Sequence, residues 1–233
     1  MSFTLVCFPF AGAGASIYRP WQSEASSRFQ LLPVQLPGRE ERFLDEPFRT
    51  MSEAAAACAD MIGSELNGQS YAVFGHSFGA ILAYETVRLL SADRLLPPTR
   101  LIVSGAACPQ RRPNHGVSQL GDDELVSQLE SIVGYRHDAF ADPDLREVLL
   151  PALRADLTVT ESYRHSFDVP LSVPVTVLRG VDDTMVPRDD IAGWADITIA
   201  DCEVRELPGG HMYLVDDWTL LWKTIDDALS DAG

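Results

Sequence analysis

Short apolar runs rich in β-branched and aromatic residues alternate along the chain with longer stretches whose apolar positions recur at helical spacing. The runs 3–8 (FTLVCF), 30–35 (QLLPVQ) and 71–75 (YAVFG) read as strands, and the patterns at about 17–28 and 51–66 between them read as helices. The rhythm continues with a helix at 79–92, strands at 100–105 and 174–179, a short helix near 188–195, a strand at 203–207 and a closing helix near 213–229. Strands separated by helices imply βαβ units, and therefore an α/β fold with a mostly parallel sheet flanked by helices.

Between 108 and 170 this alternation lapses. A loop, CPQRRPNH, leads into amphipathic helical pieces with no strand between them. LGDDELVSQLESIVG carries acidic residues in its first turn and stops at Gly134, as a capped helix does. PDLREVLLPALRADLTVTESYRH keeps helical spacing, with Pro151 predicting a kink or a restart. A helical insertion after a sheet strand is either packing decoration or a lid over a site, and its place relative to the chemistry below favours the lid. Taken singly, Leu120, Leu125, Leu129, Ile132, Val133, Leu149, Leu150, Leu153 and Leu157 read as the insertion's own core rather than as chamber wall.

With 233 residues, 46% of them hydrophobic, the chain suffices for one α/β domain with a sizeable core. No run of eighteen apolar residues occurs and no basic residue precedes the first apolar run, which predicts a soluble, cytoplasmic protein. A formal charge of −16 disfavours nucleic acid and anionic membrane as partners, because phosphate binding needs clustered cations. Cys7, Cys58, Cys108 and Cys202 are scattered, without CxxC or metal-ligand spacing, and read as reduced thiols. Neither a metal nor an organic cofactor is called for.

The chemistry concentrates in three places. Gly75-His76-Ser77-Phe78-Gly79 follows a strand and opens a helix, the context of a G-x-S-x-G nucleophile elbow with Ser77 as nucleophile; the bland alternative is a serine N-cap. A serine hydroxyl needs a base and an orienting acid, in the chain order Ser, acid, His. GVDDTMVP follows the strand PVTVLR and supplies Asp183, with Asp182 as the fallback; PGGH follows the strand CEVREL and supplies His211. Strand ends in open α/β sheets meet at one edge, where these three side chains would converge. His76 lies in the elbow but points elsewhere, and His115, His137 and His165 fall in the insertion. An oxyanion hole would take the N–H of Phe78 and one from the loop Pro9–Gly14, with Ala11 preferred over Phe10. That loop's glycines lack the spacing and the lysine of a phosphate loop.

These residues resemble the type II thioesterases, stand-alone α/β hydrolases that accompany modular polyketide and nonribosomal peptide synthases. The resemblance spans essentially the whole chain and is carried by CFPFAGAGASIYRPW, LPGREER, FGHSFGAILAYE, LRADLTVTESY, GVDDTMVP and PGGHMYL. Ala13 stands where similar proteins often have a second glycine. The family's pattern G-x-x-D-x-x-V-P selects Asp183 over Asp182. The resemblance implies hydrolysis of acyl groups from the phosphopantetheine arm of acyl or peptidyl carrier proteins, clearing stalled or mis-primed units; oligomeric state is left open, with a monomer as the default. Arg39, Glu40 and Arg42 are left between structural salt bridges and carrier contact. A carboxylesterase or acyl-CoA hydrolase, a chain-releasing thioesterase or acyltransferase, and a non-catalytic module on the same fold are the rival expectations.

Overall fold

In the computed structural model, residues 3–25, 29–66, 68–92, 97–111, 116–135, 137–166 and 169–230 are described. One six-stranded sheet runs through them: β1 (Phe3–Phe8), β2 (Phe29–Pro33), β3 (Tyr71–His76), β4 (Leu101–Ser104), β5 (Val175–Gly180) and β6 (Cys202–Leu207). The strand order is β2-β1-β3-β4-β5-β6 and every pairing is parallel. The helices are α1 (Gln22–Ala25), α2 (Met51–Leu66), α3 (Phe78–Ala92), α4 (Asp122–Val133), α5 (Pro143–Ser162), α6 (Arg188–Ile191), α7 (Tyr213–Asp216) and α8 (Trp218–Ser230).

Side chains alternate across the sheet and feed two separate apolar layers. Val6, Phe8 and Val73 face one way, onto Ala54, Cys58 and Ile62 of α2 and Ile81 of α3. Leu5, Cys7 and Phe74 face the other, onto Tyr18, Trp21 and, from α8, Leu221 and Ile225. Burial on both sides is why β1, β3 and β5 are near-continuous apolar runs. The chain passes from β1 outward to β2 and returns to β3 on β1's other side, so a topological switch point lies between β1 and β3, the place where such sheets form a crevice.

Four local expectations need correction. The helix expected at 17–28 is a 3-10 turn, Ala15–Trp21, running into α1, because Pro20 lies inside it; residues 26–28 lie outside the described residues. The short helix near 188–195 is α6 followed by a 3-10 turn, Ala192–Ile197. The closing helix is divided at Asp217, whose Oδ1 accepts from Leu220 N–H (3.1 Å) and so caps α8. Pro151 does not restart its helix: α5 is continuous from Pro143 to Ser162, with Pro151 and Glu147, whose carbonyl loses its partner, both on the exposed side.

Between β4 and β5 the described residues form α4, α5 and short 3-10 turns, with Val117, Leu125, Val126, Leu150 and Leu153 making a third apolar cluster. The C-terminal half of α5 is tied down by polar contacts. Glu161 accepts from Val117 N–H (2.7 Å), Ser118 N–H (3.2 Å) and the Ser118 hydroxyl (2.5 Å). Arg154 donates to the Ser118 and Leu120 carbonyls and to Asp122, and Tyr163 beyond the helix donates to Glu85 of α3 (2.5 Å).

Candidate active site

Ser77 sits between β3 and α3 with φ +55°, one of two described non-glycine residues in the left-handed region. The turn is held tight by its glycines. A Cβ on Gly75 would lie 2.2 Å from the Gly79 carbonyl oxygen, and one on Gly79 would lie 2.4 Å from that of Pro9. Backbone pairing of Ser77 N–H with the Ser104 carbonyl (2.8 Å) anchors the turn to the end of β4. Strain of this kind is retained where the surroundings over-determine it, and its effect is to lift the hydroxyl clear of the sheet.

The loops after β5 and β6 bring two more side chains to that hydroxyl. His211 Nε2 is 3.1 Å from Ser77 Oγ, and His211 Nδ1 is 2.9 Å from Asp183 Oδ2. A carboxylate can only accept, so Nδ1 carries the proton and Nε2 is left as the acceptor for the serine hydroxyl. Asp183 is 1% exposed, and its Oδ1 accepts from Met185 N–H and Val186 N–H, both at 3.0 Å. Asp182 faces solvent instead. Buried Arg179 shapes the loop by donating to the Val186 carbonyl (2.7 Å) and the Asp183 carbonyl (3.0 Å). Its signal in the sequence is an arginine that ends the otherwise apolar run PVTVLR.

Behind His211, with ring centroids 5.2 Å apart, lies fully buried His76. Its Nδ1 is 2.8 Å from Ser104 Oγ, which is hydrogen-bonded in turn to the Tyr213 hydroxyl. Burial, and secondarily the neighbouring His211, hold the pKa of His76 well below the ordinary histidine value, so the ring is neutral. Burial likewise pushes the Tyr213 phenol up.

Phe78 is the first residue of α3, where an N–H has no acceptor inside the helix and the helix dipole favours negative charge. Ala11 and Phe10 both line the cavity beside Ser77. Their loop turns through a hydrogen bond from Ala13 N–H to the Phe10 carbonyl (3.0 Å), with Gly12 at φ +77°. Gly12 N–H donates to Asp156 Oδ2 of α5 (2.8 Å). Arg39 grips the same carboxylate with both terminal nitrogens, at 2.5 and 2.9 Å, and also donates to the Ala13 carbonyl (3.2 Å). Arg39 is thus a buried structural residue. Glu40 hydrogen-bonds to Ser16, and Arg42 pairs at the surface with Asp45.

Two apolar cavities meet at Ser77. The larger, about 420 Å³, is bounded by Ala11, Gly12, His211 and the α4–α5 segment and reaches the exposed Phe43 and Val148. The smaller, about 60 Å³, runs past Gly105, Ala106 and Val117. Leu129, Leu157 and Met185 border both. The sequence reading of the insertion holds for Leu125, Leu150 and Leu153, which form the segment's own cluster, and for Leu120, Leu129, Ile132 and Leu157, which pack against it; Leu129, Ile132, Leu153 and Leu157 also wall one cavity or the other, as do Val133 and Leu149. Two helices on one side of a site cannot turn every apolar position toward each other. Buried Trp194 is tied to the wall of the smaller cavity, its indole N–H donating to the carbonyl of Ala106, which lines it (2.9 Å).

Of the remaining histidines, His137 lines the larger cavity, His165 is 3.1 Å from the Tyr84 hydroxyl, and His115 lies outside the described residues. All four cysteines are free thiols, three of them buried; burial pushes the Cys58 thiol up to about 12. No described helix is long and apolar enough to cross a membrane. The arrangement as a whole can activate a hydroxyl and present it to an acyl carbon between two apolar chambers.

Comparison with known proteins gives a consistent result. The thioesterase domain family matches residues 3–229. Thioesterase PikA5 of Streptomyces venezuelae is 33% identical over 225 residues, covering 97% of this chain and 80% of the relative. Gramicidin S biosynthesis protein GrsT of Aneurinibacillus migulanus is 31% identical over 216 residues, covering 91% and 83%. Among solved structures, the type II thioesterase BorB from the borrelidin biosynthetic cluster superposes with a TM-score of 0.90 at 32% identity, covering 97% of this chain and 92% of that one.

Proposed function

Since the chain belongs to the thioesterase domain family, whose members hydrolyse thioesters, we propose that it is a stand-alone editing enzyme of a polyketide or nonribosomal peptide synthase. It removes acyl groups from the phosphopantetheine arm of acyl or peptidyl carrier proteins. Ser77, His211 and Asp183 act as nucleophile, base and orienting acid; the N–H groups of Ala11 and Phe78 receive the oxyanion. The reading is carried by the hydrogen-bonded chain from Asp183 through His211 to Ser77 at the meeting of two apolar cavities. Segment 108–170 serves as the lid of one α/β-hydrolase domain, and the enzyme works as a cytoplasmic monomer without nucleic acid or membrane partners.

Ser77 Oγ attacks the thioester carbonyl while His211 Nε2 takes its proton, and the carbonyl oxygen becomes an oxyanion. The C–S bond then breaks as the imidazolium returns the proton to the leaving sulfur. Water, deprotonated by His211, attacks the acyl-serine; the C–Oγ bond breaks, Ser77 regains its proton and the free acid departs. Asp183 keeps Nδ1 protonated throughout and stabilises the imidazolium. No step requires a metal or organic cofactor.

The decisive assay offers one short acyl group on a carrier protein, on CoA and on a simple alcohol. The expected order of kcat/KM places the carrier thioester first. Preference for the alcohol ester would overturn the editing role, and an amide or lactone product would replace hydrolysis by acyl transfer.

A further inference from the structure

We propose that Arg39 and Asp156 are positioning residues for the oxyanion-binding loop, clamping the turn that presents Ala11 N–H. The inference rests on the reading of Ala11 and Phe78 as oxyanion donors and adds a requirement to it.

A four-residue turn, Phe10 to Ala13, closes on the Ala13 N–H to Phe10 carbonyl bond, and Gly12 at φ +77° has the value that a type II turn needs at its third position. The Ala11 N–H and the Phe10 carbonyl belong to one planar peptide, so the closing bond to that carbonyl sets the direction of the Ala11 N–H. The next peptide, Ala11–Gly12, is held from α5. Its N–H donates to Asp156 Oδ2 at 2.8 Å, a charge-assisted hydrogen bond that fixes the middle of the turn and with it the closing bond. The far end of the turn is held as well, because Arg39 donates to the Ala13 carbonyl.

The clamp is itself braced. The Arg39 and Asp156 side chains are 6% and 8% exposed and joined by two hydrogen bonds. Arg39 Nε donates to the Pro37 carbonyl (3.1 Å), and Gln35 Nε2 to the Arg39 carbonyl (3.1 Å) while Gln35 Oε1 accepts from Ala15 N–H (3.2 Å). Leu153, one turn before Asp156 on α5, packs against Gly12 so closely that a Cβ there would be 3.1 Å away. A buried ion pair adds little stability over apolar residues of the same volume, but it imposes direction. Both partners here spend hydrogen bonds on the backbone of one loop. Because Asp156 belongs to α5, docking of the α4–α5 segment and placement of the Ala11 N–H are one event.

The test is the volume-matched double variant Arg39→Met/Asp156→Leu, in which no buried charge is left unpaired, beside the neutral pair Arg39→Gln/Asp156→Asn, which keeps an oxygen for Gly12 N–H. With thermal melting verifying the fold, the apolar pair is expected to lower kcat about 100-fold with KM within about threefold of wild type. A trifluoromethyl ketone that forms a tetrahedral adduct should weaken in parallel, while a non-hydrolysable thioether analogue binds unchanged. The neutral pair should lose about three- to tenfold, a partial rescue. A folded apolar pair with kcat within about threefold of wild type overturns the clamp, as does equal weakening of ketone and thioether. Should the apolar pair not fold, the neutral pair decides: kcat lowered about three- to tenfold at unchanged KM supports the clamp, and an unchanged kcat overturns it. Ser77→Ala runs alongside. If it retains turnover, the nucleophile assignment fails with everything built on it; if it is inactive while both pairs are unaffected, only the clamp fails.

Discussion

Asp182 and Asp183 are neighbours with opposite surroundings: one faces water, the other is buried against His211 and two backbone N–H groups. Asp183→Asn is therefore expected to lower kcat about 10⁴-fold through the wrong imidazole tautomer, whereas Asp182→Asn should leave steady-state kinetics unchanged. Ser77→Ala should remove turnover with the circular dichroism spectrum intact. His76 gives a pH signature. Its folded pKa is depressed, so its contribution to stability is complete above about pH 6.5, the value in an unfolded chain, and is lost below it by up to about 1.4 kcal/mol per pH unit. Urea unfolding at stepped pH values should show wild type losing stability on acidification faster than His76→Gln. Residues of the elbow and of the Gly-rich loops are legible because they follow strand ends in a fixed chain order. Arg39 and Asp156 are not legible as a pair: they stand 117 positions apart, and only the docking of α5 makes them neighbours.

Elements were readable where burial is two-sided, since parallel strands covered on both faces appear as unbroken apolar runs. Readability fell where a local feature overrides periodicity, as Pro20 does in the first helix and the Asp217 cap does in the last. The α4–α5 segment is amphipathic whether its apolar stripe meets another helix or an empty chamber, so periodicity alone left its cavity walls unresolved. Two predictions belong at this scale. Gly75→Ala, whose new methyl would meet the Gly79 carbonyl oxygen at 2.2 Å, should destabilise by ~3 kcal/mol or more in chemical denaturation. Glu161→Ala, which strips acceptors from Val117, Ser118 and the Ser118 hydroxyl, should cost ~1–3 kcal/mol and speed hydrogen exchange at Val117 and Ser118.

For the molecule as a whole, a net charge of −16 sets the long-range approach of a partner. Carrier proteins are commonly acidic, so kcat/KM on a carrier thioester should rise about two- to fivefold between low and high salt as repulsion is screened, while an uncharged acyl-pantetheine shows no such rise. Length, hydrophobic content and strand alternation made the parallel sheet legible, whereas the sizes of the chambers came only from how the helices close over it. The sheet also parts two environments, with Trp21 buried in one layer and Trp194 in the other. Because the Trp194 indole is bonded to the carbonyl of Ala106, a residue that lines the smaller cavity, the protein carries its own optical reporter. Loading Ser77 with a slowly hydrolysed acyl group should shift tryptophan emission on the time scale of acylation, and the shift should vanish in Trp194→Phe, so that filling and emptying of the chamber can be followed without a label.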